Sequence, residues 1–343
     1  TTATANITPK ALTMFGAILA SKTYDGNTNA VVTPGTLNGL VGTETLAVSG
    51  AGAFGSKNVG SYSVNTAYTL SDSGTGASAG LASNYTLANE NLNASITAKA
   101  LTVSGITAGN KTYDGTTSAP VSAAGIVKSG LIAGDTVTVA SSGVFADKNA
   151  ATGKTVNLTS TYAGADAGNY TITEQTSTTA NISPAALTIS GITAANKTYD
   201  GNTSATVSTG SVVKSGLIAG DTVTVASSGV FADKNAGSGK TVNLINTYAG
   251  VDAGNYTITD QTTATANIAQ AALTMTAQNA SKLIGQADPG FNATYSGFVN
   301  GETASVLSSA SVTRTGTDTA ANTYTGVLVP SASATNYSIT AVN

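Results

Sequence analysis

The 343-residue sequence contains no cysteine, no histidine and no tryptophan, and only 14 basic and 17 acidic residues. Each absence removes chemistry. Without cysteine there is no thiolate nucleophile and no disulfide framework. Without histidine there is no imidazole acid or base, and the usual nitrogen and sulfur ligands of a zinc site are missing with it. Arg314 is the sole arginine and the lysines are scattered along a chain of net charge −3. Nucleic acid, which demands clustered cations to displace its counterions, is therefore not an expected partner. No stretch approaches the roughly 18 apolar residues of a membrane span; the most apolar run, residues 11–20, is interrupted by Thr13 and Gly16. Any enzyme here would run on Asp, Glu, Lys, Tyr, Ser and Thr, and no acidic pair recurs in the cleft-like arrangement that a two-carboxylate reaction needs. The expectation is no enzyme, no catalytic residue, no cofactor and no metal. The chain starts at Thr1 with no initiator methionine and no secretory leader, and reads as a processed or excerpted part of something longer.

What is present is small and neutral. Leu, Ile, Val and Phe together are 68 of 343 residues, at the edge of the disordered range of about 20%. Disorder also requires high net charge, which this chain lacks. Abundant Thr and Val favour strands.

Self-similarity dominates the sequence. An Ala-Leu-Thr segment recurs at Leu12, Leu101, Leu187 and Leu273, with spacings of 89, 86 and 86 residues. A lysine follows at Lys22, Lys111, Lys197 and Lys282, and in the first three copies it opens Lys-Thr-Tyr-Asp-Gly. Next comes an acid five residues after a glycine: Glu44, Asp135, Asp221 and Glu302. Phe-x-x-Lys-Asn follows at Phe54, Phe145 and Phe231 and is missing from the fourth copy; Asn-Tyr closes the set at Asn84, Asn169, Asn255 and Asn336. Residues 127–150 and 213–236 are identical. Each copy alternates apolar residues with Thr or Asn, as in Thr136-Val137-Thr138-Val139 and Tyr170-Thr171-Ile172-Thr173, and turn signals separate the runs. About seven short strands in roughly 85 residues is a sandwich pattern. The fold class expected is all-β: a tandem array of four Ig-like β-sandwich modules forming an elongated rod, on the order of 150 Å long if strands of about ten residues rise ~3.3 Å each.

These blocks, Lys-Thr-Tyr-Asp-Gly, Gly-Leu-Ile-Ala-Gly-Asp-Thr, Phe-Ala-Asp-Lys-Asn-Ala and Gly-Asn-Tyr-Thr-Ile-Thr, resemble the YDG repeat domain of large secreted bacterial proteins of the filamentous-haemagglutinin-like adhesin type. The fourth copy, with Ser-Lys-Leu-Ile-Gly-Gln-Ala-Asp-Pro-Gly at 281–290, resembles the related "mostly β and glycine" (MBG) domain. The resemblance implies an extracellular stalk on a bacterial cell surface and brings no catalytic residue with it. The expected organisation is an orphan strand at 1–7, YDG-like repeats at 8–96, 97–182 and 183–268, and an MBG-like repeat at 269–343 whose closing strand is missing.

The two ends match. Thr1, Thr2, Ala3, Thr4, Ala5, Asn6 and Ile7 form the kind of strand that closes the second and third copies, with no module ahead of it. The fourth copy stops after Asn336, Tyr337, Ile339 and Val342, where such a strand would follow. Residues 1–7 would then fill the fourth module of a neighbour, as one unit of a longer covalent tandem chain or as a head-to-tail homopolymer by donor-strand exchange. Surface glycans are the alternative partner, held by the 71–82 insertion of the first copy or by tyrosines.

Tyr24-Asp25-Gly26, Tyr113-Asp114-Gly115 and Tyr199-Asp200-Gly201 read first as turns, with glycine at positive φ. A calcium site using Asp135 with Asp147, or Asp166, lacks the several carboxylates such sites use. Lys148-Asn149 and Lys234-Asn235 suggest an isopeptide bond, but adjacent strand residues point to opposite faces and a loop accounts for them better. The tyrosines, Tyr162 and Tyr248 before Tyr170 and Tyr256 among them, read as inward-packing with bonded hydroxyls.

Overall fold

In a computed structural model, which describes residues 2–317 and 320–343, the regular structure is almost wholly strand. Among the described residues there is no α-helix, only single 3₁₀ turns such as Ala167–Asn169 and Ala253–Asn255. The chain divides into two compact units. One comprises 1–111, 117–147 and 152–181; the other comprises 112–116, 148–151 and 182–343.

The third copy, wholly within the second unit, shows the architecture best. Its Ala-Leu-Thr block becomes the strand Ala185–Ser190, in which Ala185, Leu187 and Ile189 are buried and the residues between them are exposed. This strand is the centre of a three-stranded sheet, antiparallel to Val213–Ser215 and parallel to Tyr256–Thr259. A five-stranded sheet runs in the order Lys197–Thr198, Thr263–Ala269, Gly237–Ala249, Thr224–Phe231 and Ser204–Ala205. Its long central pair is registered from Thr224 opposite Ala249 to Phe231 opposite Val242. Alternation aims Val242 and Leu244 into the core and leaves Thr241 and Asn243 outside. With the ribbon of Thr193–Ala194 and Val207–Ser208, this copy has ten strands. The alternation argument finds about seven, because strands of two residues are too short to alternate.

The first copy repeats the plan within the first unit. Lys10–Phe15 lies between Thr36–Asn38 and Tyr85–Leu87, and the five-stranded sheet is built on Leu46–Ala53 and Gly60–Asp72. In the second copy Lys99–Ser104 lies between Val127–Ser129 and Tyr170–Thr173, and Thr138–Phe145 pairs with 156–163. The fourth copy keeps the three-stranded sheet of Ala293–Ser296, Ala271–Ala277 and Tyr337–Val342, and has a two-stranded ribbon of Ser309–Arg314 and Leu328–Ser333 in place of the larger sheet. Pairing between the Ala-Leu-Thr strand and the Asn-Tyr strand is parallel in every copy. That pairing carries the tyrosine of Asn-Tyr to one end of the sheet beside the loop that bears the recurring acid.

Residues 2–7 are exposed and belong to no strand among the described residues, and Thr1 lies outside them. Of the closing segment, Tyr337 is buried, Ile339 pairs with Leu273, and Val342 pairs with Thr276 at the rim.

Candidate functional site

The recurring polar residues converge on three joints, each made of a giving half from one copy and a receiving half from the next. The giving half is two adjacent loops. In Lys197–Thr198 and the turn after it, the Lys197 ammonium bonds the Asp200 carboxylate (2.7 Å) and the Asn202 backbone carbonyl (2.8 Å), while the Asn202 N–H donates to Asp200 Oδ1. The same lysine lies over the Phe231 ring, 5.5 Å from its centroid, so the Tyr-Asp-Gly turn and the Phe-x-x-Lys-Asn loop are held side by side. Lys22, Asp25, Asn27 and Phe54 repeat this in the first copy, and the Thr116 N–H donates to Asp114. The aspartate of the motif is thus spent inside the turn, and its tyrosine is the residue aimed outward.

That tyrosine is buried by the next copy. Within the first unit the Tyr24 hydroxyl donates to Asp135 Oδ2 (2.9 Å), and Tyr170 donates to the same oxygen (2.6 Å). Lys57 reaches Asp135 Oδ1 at 3.4 Å and Asp166 Oδ1 at 3.0 Å. The second unit holds the corresponding set. Tyr113 and Tyr256 donate to Asp221 Oδ2 (2.8 and 2.6 Å), and Lys148 bridges Asp221 and Asp252 at 2.9 Å each. In the third joint Glu302 alone takes the load: Tyr199 and Lys234 bond Oε1 (2.6 and 3.0 Å) and Tyr337 bonds Oε2 (2.7 Å).

The remaining donors and acceptors close in register. The asparagine of Lys-Asn pairs with the asparagine of Asn-Tyr: Asn169 Nδ2 donates to Asn58 Oδ1, Asn255 to Asn149 and Asn336 to Asn235, at 3.1–3.2 Å. The backbone N–H after each Lys-Asn, of Val59, Ala150 and Ala236, donates to the same asparagine's Oδ1 at 2.8–2.9 Å. Each receiving tyrosine also accepts from backbone, from Ile132, Ile218 and Val299 N–H. The giving and receiving rings meet edge to face, 5.5–5.6 Å apart at 78°, in all three joints; such a pair contributes about 0.5–1.5 kcal/mol beyond its buried area.

Electrostatics agree with the geometry. Burial alone would raise Asp221, but hydrogen bonds from Tyr256, Lys148 and Tyr113 hold its carboxyl below the ordinary value. Glu302 is lowered in the same way by Tyr199, Tyr337 and Lys234. Asp252 is lowered chiefly by the Thr222 N–H, then by Lys148. Burial and then Asp221 push the Tyr256 phenol up to about 12. The lowered carboxylates contribute stability that is complete above about pH 4 and lost as pH falls through their depressed values; the raised phenol contributes stability complete below about pH 10 and lost on rising through about 12. With no histidine, the urea midpoint is expected to be flat between about pH 5 and 9 and to fall on either side. A midpoint that moves between about pH 5.5 and 7.5 would contradict this.

Glycine in the motif has two causes. Gly115 sits at φ +77°, and a Cβ there would stand 3.1 Å from Ile218 Cγ2; Gly26 at φ +80° faces Ile132 at 3.3 Å. Gly115→Ala is expected to cost about 1–2 kcal/mol in a chemical denaturation series, through the left-handed backbone and the crowded approach together.

The residues singled out in the sequence fall as follows. Tyr24, Tyr113 and Tyr199 lie in the joints; Asp25, Asp114 and Asp200 and the three glycines build the turns behind them. Asn336 and Tyr337 receive the third copy. Lys148 and Asn149 point to one receiving surface, since 147–149 is a bend and not a strand. Asp147 pairs with Lys154, while Asp135 and Asp166 share Lys57. Tyr68 and Tyr248 donate to Glu90 and Asp260, away from the joints. The roles of Asp135, Asp221, Glu302 and of Lys57, Lys148 and Lys234 were present in the sequence only as recurring positions.

These sites join one repeat to the next, and a chain organised this way is a tandem repeat protein. It belongs to the YDG-domain family: the YDG domain profile matches residues 8–92, 97–179 and 183–266, and the MBG domain (YGX type) matches 273–343. No curated protein matches the chain. Among solved structures it has a distant likeness to one titled "The Bacillus anthracis TIE protein", at 8% identity and a TM-score of 0.28, covering 95% of this chain and 74% of that one.

Proposed function

We propose that the chain is a structural segment of an extracellular bacterial fibre or adhesin stalk, in which immunoglobulin-like two-sheet repeats are locked in tandem to give reach and surface presentation. The observation that carries this reading is the recurrence of one joint, with the same Tyr–acid–Tyr geometry, at three successive junctions. Pairs of a buried acid with a part-exposed lysine add little net stability but fix register, since any other docking leaves the buried acid unpaired. A joint of that kind suits a stalk that must hold its repeats in one orientation. The role is mechanical rather than catalytic, because the polar groups of the joints are used on one another.

Of the two assembly routes, a longer covalent tandem is favoured over a head-to-tail homopolymer. The fourth repeat has neither Tyr-Asp-Gly nor Phe-x-x-Lys-Asn, so it receives a joint without the residues to give one. Donor-strand exchange by residues 1–7 is tested separately by deleting them and measuring particle length. The tandem-stalk reading is tested by small-angle X-ray scattering of the full chain. A maximum dimension on the order of 150 Å is expected, and a globular profile would contradict the reading.

A glycan-binding role has one feature in its favour. The 71–82 insertion folds back on Thr45, whose N–H donates to the Ser78 carbonyl, and leaves an open depression beside Tyr68 and Tyr85. Glycan-array binding that disappears on deletion of 71–82 would support it.

A further inference from the structure

The first repeat carries a receiving half with nothing seated on it. The Tyr85 hydroxyl donates to Glu44 Oε2 (2.6 Å) and accepts from the Val41 N–H (3.1 Å), the arrangement that Tyr337, Glu302 and Val299 make in the fourth repeat. There Glu302 Oε1 takes the tyrosine and lysine of the preceding repeat. In the first repeat Glu44 Oε1 has no hydrogen bond or ion pair among the described residues. The surroundings are uncovered to match. Val41 is 52% exposed, whereas its counterparts Ile132, Ile218 and Val299 are half-buried; Asn84 is exposed, whereas Asn169 and Asn255 are buried under their joints.

The first and fourth repeats also share a chemical variant of this face. Both use glutamate where the middle repeats use aspartate, and neither has the second acid that Asp166 and Asp252 supply. In the second repeat Asp166 accepts the Thr136 N–H (2.9 Å); in the first, the Ser78 carbonyl of the insertion takes the equivalent Thr45 N–H (3.1 Å). A single glutamate has the reach to bond both tyrosines through separate oxygens, as Glu302 does. The insertion therefore replaces the second acid without occupying the position of the incoming tyrosine.

We propose that the Glu44–Tyr85–Asn84 face is a docking site for the Tyr-Asp-Gly and Lys-Asn loops of a further YDG repeat placed in tandem ahead of it. The incoming tyrosine donates to Glu44 Oε1, the lysine pairs with the same carboxylate, and the asparagine pairs with Asn84. Charge complementarity and three internal precedents specify the occupant. The four repeats cannot supply it from a second copy, because the giving loops of repeats one to three are already engaged and repeat four has none. Residues 1–7 fit the same occupant: they are identical to 262–268, the segment that closes repeat three.

This inference rests on the tandem-lock reading, and the experiment separates the two. Residues 183–261 are duplicated ahead of Thr1 in the full chain, so that residues 1–7 close the added repeat. Hydrogen exchange is then followed at 39–46 and 82–87. Exchange at those segments is expected to slow by about tenfold or more relative to the original chain, and Tyr199→Ala in the added copy alone is expected to reverse the change. Repeat three, identical in sequence to the added copy, is the internal control. Unchanged exchange at 39–46 with a protected added copy overturns the proposal, as does an added copy left unprotected while repeat three is protected. Failure of the internal joints to respond to their own substitutions would instead overturn the tandem-lock reading.

Discussion

Asp221→Ala is expected to destabilise the second unit by about 3–5 kcal/mol, mainly the penalty of leaving the buried Tyr113 and Tyr256 hydroxyls without their acceptor, about 1–3 kcal/mol each. The Asp221 side chain is 3% exposed and accepts from Tyr113, Tyr256 and Lys148. Its removal leaves two buried hydroxyls and an ammonium with fewer partners, and water has little access to replace it. The check is a urea titration alongside hydrogen exchange at 112–116, which should lose protection with the second unit. Asp233→Ala supplies the contrast. Asp233 also carries a salt bridge, to Lys240, but its side chain is 52% exposed, and a far smaller loss is expected because water screens the pair. Equal effects at the two sites would show that burial in the joint is not what gives Asp221 its weight.

Tyr199→Ala is expected to cost a similar amount, about 3–5 kcal/mol, as a large aromatic deletion in a packed site. The ring is nearly fully buried against Tyr337, and Lys234 lies over its face at 5.9 Å. Tyr199→Phe keeps both ring contacts and loses the hydroxyl's donation to Glu302, so it should cost only about 1–2 kcal/mol. The two substitutions divide packing from hydrogen bonding at one position. If Phe were as damaging as Ala, the charge-assisted bond rather than the ring contact would dominate the joint.

The strands and the four-fold repetition were legible in the sequence, because alternation in segments such as 136–139 and the recurrence of Leu12, Leu101, Leu187 and Leu273 are local or periodic signals. Pairing of the joints was not. Tyr24 meets Asp135 in the next repeat and not Glu44 in its own, yet a periodic sequence offers both acids at equivalent positions and contains nothing to choose between them. The choice is made by topology. Parallel pairing of Lys99–Ser104 with Tyr170–Thr173 places Tyr170 beside the Asp135 loop, and alternation is blind to strand direction. The Lys-Asn loops show a different limit. Adjacent residues diverge on a strand, but the bend at 147–149 turns Lys148 and Asn149 to the same surface.

Scarcity of charge acquires a meaning from these joints. Lys57, Lys148 and Lys234 and the five acids they meet are 8 of the 31 charged residues. A face that presents one or two buried acids among neutral side chains selects a partner that brings one lysine, and a chain with few other charges offers few competing pairings.

The giving tyrosine and the receiving acid share one buried hydrogen bond and are expected to respond to substitution as a unit. The measurement that tests this most directly is a double-mutant cycle of Tyr113→Phe and Asp221→Asn in the full chain, read by urea denaturation. A coupling energy above about 1 kcal/mol is predicted, since the two groups share one buried hydrogen bond; additivity within about 0.3 kcal/mol would contradict it.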